Sequence, residues 1–178
     1  GTPPTGGDVL ADASGGATDV TRQQGGILNG DLQAAVKAIA VPLASALNDT
    51  AKVFGQTAAV SVRAVFEADG HDASSALFHL LDASGKQLTG SYDAVSKLDS
   101  DPTKGFAQFA EKSATAARDY LQSINLPKWA NEQLAALGDS VGVDALLSSV
   151  KAIDDTQVAI THLTDSLKQL PGALGNIS

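Results

Sequence analysis

Apolar residues recur at every third or fourth position from residue 32 to residue 65, which is the spacing of one face of an α-helix. The pattern predicts a helix near 31–54 and a second helix near 56–69. Pro42 removes a backbone hydrogen bond inside the first helix, so a kink is expected there, and Gly55 separates the two helices. The series consists of Leu32, Val36, Ile39, Leu43, Leu47, Ala51, Phe54, Ala58, Val62 and Val65.

The next segment continues the helical spacing. It predicts a third helix over 73–95, with Asp72 as the N-cap residue. A strand is the alternative that stays open just before this segment, where β-branched and aromatic residues come closest to alternation. Those residues are Val60, Val62 and Val65-Phe66.

Proline and glycine mark the limits of the helices in the second half of the chain. The pair Asp101-Pro102 predicts an N-cap followed by the first helical position, and this helix ends before Pro127. A short helix follows and ends at Gly138. The last helix is predicted over 143–170, where Pro171-Gly172 stops it. Its apolar stripe consists of Leu146, Val150, Ile153, Ile160, Leu163, Leu167 and Leu170.

Together these stripes predict an all-α protein, an antiparallel bundle of four to six helices with a kink at Pro42. Residues 1–30 contain eight of the 17 glycines and few large apolar residues, so they are expected to form a flexible arm. Residues 31–178 are expected to form a single helical-bundle domain. An apolar fraction of 43% in a chain of 178 residues is enough for one core.

The charged residues change this picture in two ways. Aspartate outnumbers glutamate by 17 to three, and aspartate is a better helix cap than helix-interior residue. Asp31, Asp72, Asp101 and Asp139 all fall where helices are expected to begin. The net charge of −8 and a pI near 4.6 argue against nucleic acid as a partner, because phosphates would be repelled.

The chain contains neither cysteine nor methionine, which excludes disulfides, thiolate metal sites and thiol nucleophiles. Without a methionine, removal of an upstream segment is expected, whether a signal peptide, a propeptide or a segment trimmed for expression. No apolar run is long enough to cross a membrane, so we expect a secreted or cell-envelope protein without a transmembrane segment. Asn48 and Asn176 stand in Asn-x-Ser/Thr sequons and are candidate glycosylation sites, unmodified asparagines being the alternative.

A search for catalytic groups gives one motif. Residues 138–142 match the G-x-S-x-G pattern around Ser140, but a helix rather than a strand is predicted before it. His162 would lie about 30 Å along the following helix, too far to act on the Ser140 hydroxyl. Three glutamates are too few for a carboxylate-bridged di-iron site. The best metal-binding combination is His79, His162 and Asp165, for which structural or surface roles are the alternative.

These observations predict that the chain is not an enzyme and binds no cofactor and no metal. The segment 34–47 is apolar almost all round, as in a helix that is buried on most sides or that faces an apolar partner. We therefore expect a hydrophobic ligand such as a lipid, fatty acid or pigment, or adsorption to a hydrophobic surface. A structural or interaction module with a filled core is the alternative, and the oligomeric state stays open. The candidate ligand-binding residues are Ile39, Leu43, Leu47, Phe54, Phe66, Phe78, Phe106 and Phe109.

Overall fold

Strands and helices both contribute to the fold of this protein. The computed structural model describes residues 4–13, 16–19, 27–57 and 59–175. Within these residues it contains six strands and four helices. In chain order they are β1 (Thr5–Ala11), β2 (Ala17–Asp19), β3 (Ile27–Leu28), α1 (Gly30–Val53), β4 (Ser61–Ala68), β5 (Ser74–Leu81), β6 (Tyr92–Leu98), α2 (Pro102–Ser123), α3 (Lys128–Ala135) and α4 (Val143–Gly175).

The strands form one sheet in the order β2-β1-β4-β5-β6, and β3 also pairs with β1. Neighbouring strands run antiparallel except for the parallel pair of β1 with β3. The pairing of β1 with β4 extends from Thr5 opposite Ala68 to Ala11 opposite Val62. β4 is therefore central, and β6 lies at one edge of the described sheet.

The prediction of an all-α bundle is wrong. The expected helix over 56–69 is β4, and the expected helix over 73–95 consists of β5 and β6. In β4, buried and half-buried residues alternate strictly, so the period is two. Steps of three and four between Ala58, Val62 and Val65 imitated a helical face, although Val65 lies on the opposite face of the strand from Val62.

Aspartates form the turns that make these strands possible. The Asp69 carboxylate accepts hydrogen bonds from the backbone N–H groups of His71 and Asp72, and Gly70 has a φ of 82°. In the next turn, the Asp82 carboxylate accepts from the backbone N–H groups of Ser84 and Lys86. Such turns reverse the chain between antiparallel strands.

The N-caps predicted from the aspartate bias are mostly wrong. Asp101 is the N-cap of α2, and its carboxylate accepts from the Thr103 and Lys104 N–H groups. The N-cap of α1 is Asn29 rather than Asp31, which lies in the first turn of the helix. Asp72 lies in a strand connection, and Asp139 precedes the start of α4 by four residues.

The N-terminal segment also differs from the expected flexible arm, because Thr5–Ala11 is a fully paired strand. It lies directly against α1: a Cβ atom on Gly7 would lie 2.7 Å from the Leu32 carbonyl oxygen. The Gln33 side chain on α1 also holds the helix against β1. Its amide accepts from the Asp8 N–H at 2.7 Å and donates to the Asp8 carbonyl at 2.9 Å.

The core lies between the sheet and the helices. α1 contacts β1 and β4 on one side and α4 on the other, which explains why its sequence is apolar almost all round. α2 contacts β4, β5 and β6, and α3 packs on α2 and α4. The helices α1, α2 and α3 lie close to their predicted positions, whereas α4 continues beyond Pro171.

Candidate functional site

Helix α4 leaves the rest of the molecule about halfway along its length. Ile153 is 1% exposed within the core, and the Asp154 carboxylate accepts a hydrogen bond of 2.8 Å from the Thr50 hydroxyl of α1. Burial at this junction raises the pKa of Asp154. Beyond it, every residue from Val158 to Gly172 is exposed. At ~1.5 Å per residue, this projecting part of the helix is about 22 Å long.

The projecting helix carries large apolar side chains on one face. At 100° per residue, four of them fall within an arc of about 80°. We call this set the α4 stripe: Ile160, Leu163, Leu167 and Leu170, which are 41%, 59%, 57% and 48% exposed. Val158 is 56% exposed but lies about 160° from Ile160, on the other side of the helix.

The α4 stripe continues the buried face of the same helix. Leu146 and Ile153 are each 1% exposed, and Ile160 follows Ile153 at the same seven-residue spacing. The covering elements end near Ile153, while the apolar face extends beyond it. An exposed row of this kind is a candidate contact surface, because isolated exposed leucines are common but an aligned set is not.

Charged groups lie away from the stripe. The positions that flank it carry Gln157, Ala159, Thr164 and Ser166, none of which is charged. Charged side chains of the helix point to its other faces. In the projecting part, residues 158–172, they are Asp165 and Lys168, one acid and one base.

A groove lies between β6 and α2, with a volume of about 750 Å³. The Tyr92 hydroxyl lies 3.0 Å from the Ser113 hydroxyl, and the Lys112 ammonium lies 5.8 Å from the centre of the Tyr92 ring. Burial raises the pKa of Tyr92 to about 12. The phenol is therefore protonated at neutral pH and acts as a hydrogen-bonding group rather than as a base.

The G-x-S-x-G segment lies beside this groove. Gly138 has a φ of 81° just after α3, as expected for a glycine that ends a helix. The Ser140 hydroxyl donates to the Glu111 carboxylate, while His162 lies on the projecting half of α4. The hydrogen-bond partner of the Ser140 hydroxyl is therefore a carboxylate. That the chain is not an enzyme stays a prediction.

The predicted ligand-binding residues fall into separate groups within the core. Phe66, Phe106 and Phe109 contact one another, with ring centres 5.3 to 5.7 Å apart. Phe54 faces Trp129 at 6.1 Å, and Phe78 stacks on Tyr92 at 6.0 Å. Leu43 and Leu47 are buried on α1, with Ile39 half-buried beside them. All eight residues pack in or against the core, and ligand binding by them stays a prediction.

Two further groups of candidate residues have structural partners. The Asn48 amide donates to the carbonyls of Ala44 and Val60 and accepts from the Val60 N–H, so it fixes the chain between α1 and β4. Asn176 lies outside the described residues. His79 pairs with Asp93 at 2.8 Å across β5 and β6, far along the chain from His162 and Asp165. No cluster of three metal-ligating side chains occurs among the residues that the structure describes.

Comparison of the chain with protein-family models, with curated proteins and with solved structures finds no match. Within the described ranges, no helix is both long and apolar enough to span a membrane. Sequence reasoning identified the residues of the α4 stripe as one face of the last helix, but assigned that face to the interior of a bundle.

Proposed function

We propose that this protein is an interaction module that presents the α4 stripe to an apolar helical surface of a polypeptide partner. The sheet and the helices up to Ile153 form an α/β body from which the stripe projects. The observation that carries the proposal is the continuous exposure from Val158 to Gly172, combined with the alignment of four large apolar side chains on one face. Helix pairs bury such faces when apolar residues recur at alternating steps of three and four.

The packing of the core supports an interaction module over a carrier of a hydrophobic ligand. The large side chains that would line a ligand cavity contact one another instead. Phe66 packs against Phe106 and Phe109 at van der Waals distances between rings, and Leu43 and Leu47 are each 1% exposed within the same cluster.

The charge pattern supports a polypeptide partner over a lipid surface. Helices that lie in a membrane interface carry Lys and Arg on the polar face, because they face anionic headgroups. The projecting part of α4, residues 158–172, has Lys168 as its single Lys or Arg and Asp165 as its single acid. A polar face with one base and one acid has no excess of positive charge to attract an anionic membrane.

The test is a titration of the protein into a fluorescein-labelled synthetic amphipathic peptide with Ile and Leu at three-four spacing and uncharged flanks. Fluorescence anisotropy should report binding to the wild type. The double variant Leu163→Gln/Leu167→Gln should weaken that binding at least about tenfold, because two buried leucines are lost from the contact. Val158→Gln is the matched control, since it removes an equally exposed apolar side chain from the opposite face, and it should bind like the wild type.

Equal binding of the peptide by the wild type and the stripe variant would refute the proposal. A parallel experiment with neutral phosphatidylcholine vesicles separates the two kinds of partner. Stripe-dependent sedimentation with vesicles, without any binding of the peptide, would contradict a polypeptide partner and support adsorption to a hydrophobic surface.

A further inference from the structure

The α4 stripe is complementary to itself when a second copy runs in the opposite direction. Its steps of three, four and three residues read the same from either end, with Asp165 at the midpoint. An antiparallel partner places Ile160 opposite Leu170 and Leu163 opposite Leu167. A two-fold axis through this midpoint gives a closed contact in which the same surface is used by both chains.

We infer that the partner bound by the α4 stripe is α4 of a second copy of this chain, in an antiparallel pair; this inference rests on the proposed function. It names the partner and the register, which the proposed function leaves open. Each copy supplies four large apolar side chains, so the contact is smaller than a standard protein interface. A weak dimer with a dissociation constant on the order of 10 µM is expected.

The position of the body selects the antiparallel direction. Ile153 and the α4 stripe share one face of the helix, and at Ile153 that face is covered by the body of the same chain. In a parallel pair in register, the partner's helix before Gln157 would have to occupy the space of this body. An antiparallel partner approaches the body with the far end of its helix instead.

The described residues of the partner's helix fit into the space beside the body. Seven residues separate Ile153 from Ile160, a rise of about 10 Å along the helix. In the antiparallel pair, Leu170 of the second copy lies level with Ile160 of the first. The five residues of the second copy from Pro171 to Gly175 then extend about 7.5 Å toward the body of the first copy. The described residues of the second helix therefore cover the full length of the stripe and stop short of the level of Ile153.

Electrostatics permit the pairing of two acidic chains at this surface. Each chain has a net charge of −8, so two copies repel each other at long range. The flanking residues Gln157, Ala159, Thr164 and Ser166 bring no like charges together across the contact. Asp165 is the middle residue of the stripe segment in sequence. Around the helix it lies about 140° from Ile160, so its side chain projects away from the partner.

A double cysteine variant of the full chain distinguishes the arrangements, because the natural chain has no cysteine. In Ile160→Cys/Leu170→Cys, an antiparallel pair brings Cys at one position opposite Cys at the other. Trypsin cleaves after Lys168 and so separates the two positions onto different peptides. Within one chain, ten residues of helix hold the two sulfurs about 15 Å apart, too far for an intramolecular disulfide.

The measurement is mass spectrometry of non-reduced tryptic peptides after equilibration in a thiol–disulfide buffer. The inference predicts a predominant disulfide between the peptides that contain positions 160 and 170. Val158→Cys/Gln169→Cys, on the opposite face, is the control for random oxidation and should give at least about tenfold less cross-linked dimer.

Two results would overturn the inference. Disulfides that join 160 to 160 and 170 to 170 would show a parallel pair. Cross-linking no greater than in the opposite-face control would show that a second copy is not the partner. The proposed function is judged separately, since binding of the synthetic peptide to the α4 stripe does not depend on either result.

Discussion

At the scale of single residues, Tyr92 joins the edge of the sheet to the second helix. Its ring stacks on Phe78 within the sheet, and its hydroxyl lies 3.0 Å from the Ser113 hydroxyl on α2. Burial raises the pKa of Tyr92 to about 12, and burial also raises the pKa of Tyr120. These are the two tyrosines of the chain, so both phenols resist ionisation in the folded state.

This predicts a loss of stability at alkaline pH. A phenol whose folded pKa lies above its unfolded value of about 10 binds its proton more tightly in the native state. For Tyr92 this contribution is fully present below pH 10 and is lost as the pH rises toward 12. In Tyr120→Phe, where Tyr92 is the remaining tyrosine, ultraviolet absorbance of tyrosinate should appear only together with loss of circular dichroism. A reversible titration near pH 10 in folded protein would contradict the buried environment of Tyr92.

The aspartates show how far the ends of structural elements could be predicted from single residues. The expectation that aspartates begin structural elements is confirmed at Asp101, where Pro102 directly follows and limits the alternatives. It failed at Asp72, which donates its backbone N–H to the Asp69 carboxylate in a turn, because aspartates favour turns as well as helix ends. The combinations of Asp69 with Gly70 and of Asp82 with Gly85 carried the missing signal, since each puts a glycine with positive φ in a turn between strands.

At the scale of elements, the contact of α1 with β1 depends on the absence of a side chain at Gly7. A Cβ atom there would lie 2.7 Å from both the Leu32 carbonyl oxygen and a Val36 methyl carbon. The helix backbone cannot yield without breaking the Gln33 hydrogen bonds to Asp8. The close approach explains why a glycine-rich segment is part of the sheet and not an arm.

We therefore expect Gly7→Ala to lower the free energy of unfolding by about 1–3 kcal/mol, through overpacking of α1 against β1. Urea unfolding followed by circular dichroism measures this change. The matched control is Gly30→Ala in the first turn of α1, where a Cβ atom meets nothing within 4 Å. Its effect should stay within about 0.5 kcal/mol. Similar values for the two variants would contradict the packing described for Gly7.

The elements differ in how far the sequence determines them. Helices α1, α2, α3 and α4 were predictable because each has a long stripe, a cap or a proline that marks its limits. For β4 the sequence predicted a helix but left open the strand that the structure contains, whereas for β5 it predicted a helix alone, because in eight-residue strands a few apolar residues fit both periods. β4 is a strand because it pairs with β1, which lies more than 50 residues earlier in the chain. A local sequence pattern does not contain information about such a distant partner.

At the scale of the whole molecule, the protein is an α/β body with one helix that projects from it. The apolar face of α4 changes from buried at Ile153 to exposed at Ile160 because the covering elements end, while the stripe continues. From the sequence alone, the stripe is visible but its environment is not, since a bundle would bury it. The candidate site therefore follows from the fold and could not be located without it.

The projecting surface of α4 is expected to associate with a second copy of the chain. Sedimentation equilibrium from about 1 µM to about 500 µM spans the range expected for so small an interface. The mass of the wild type should rise from 18.0 kDa toward twice that value, and more readily at high salt, because screening reduces repulsion between acidic chains. Leu163→Gln/Leu167→Gln should remain at the monomer mass, and Val158→Gln should behave like the wild type.

A wild-type protein that stays at 18.0 kDa over the whole range would contradict the claim. So would a stripe variant that dimerises as strongly as the wild type.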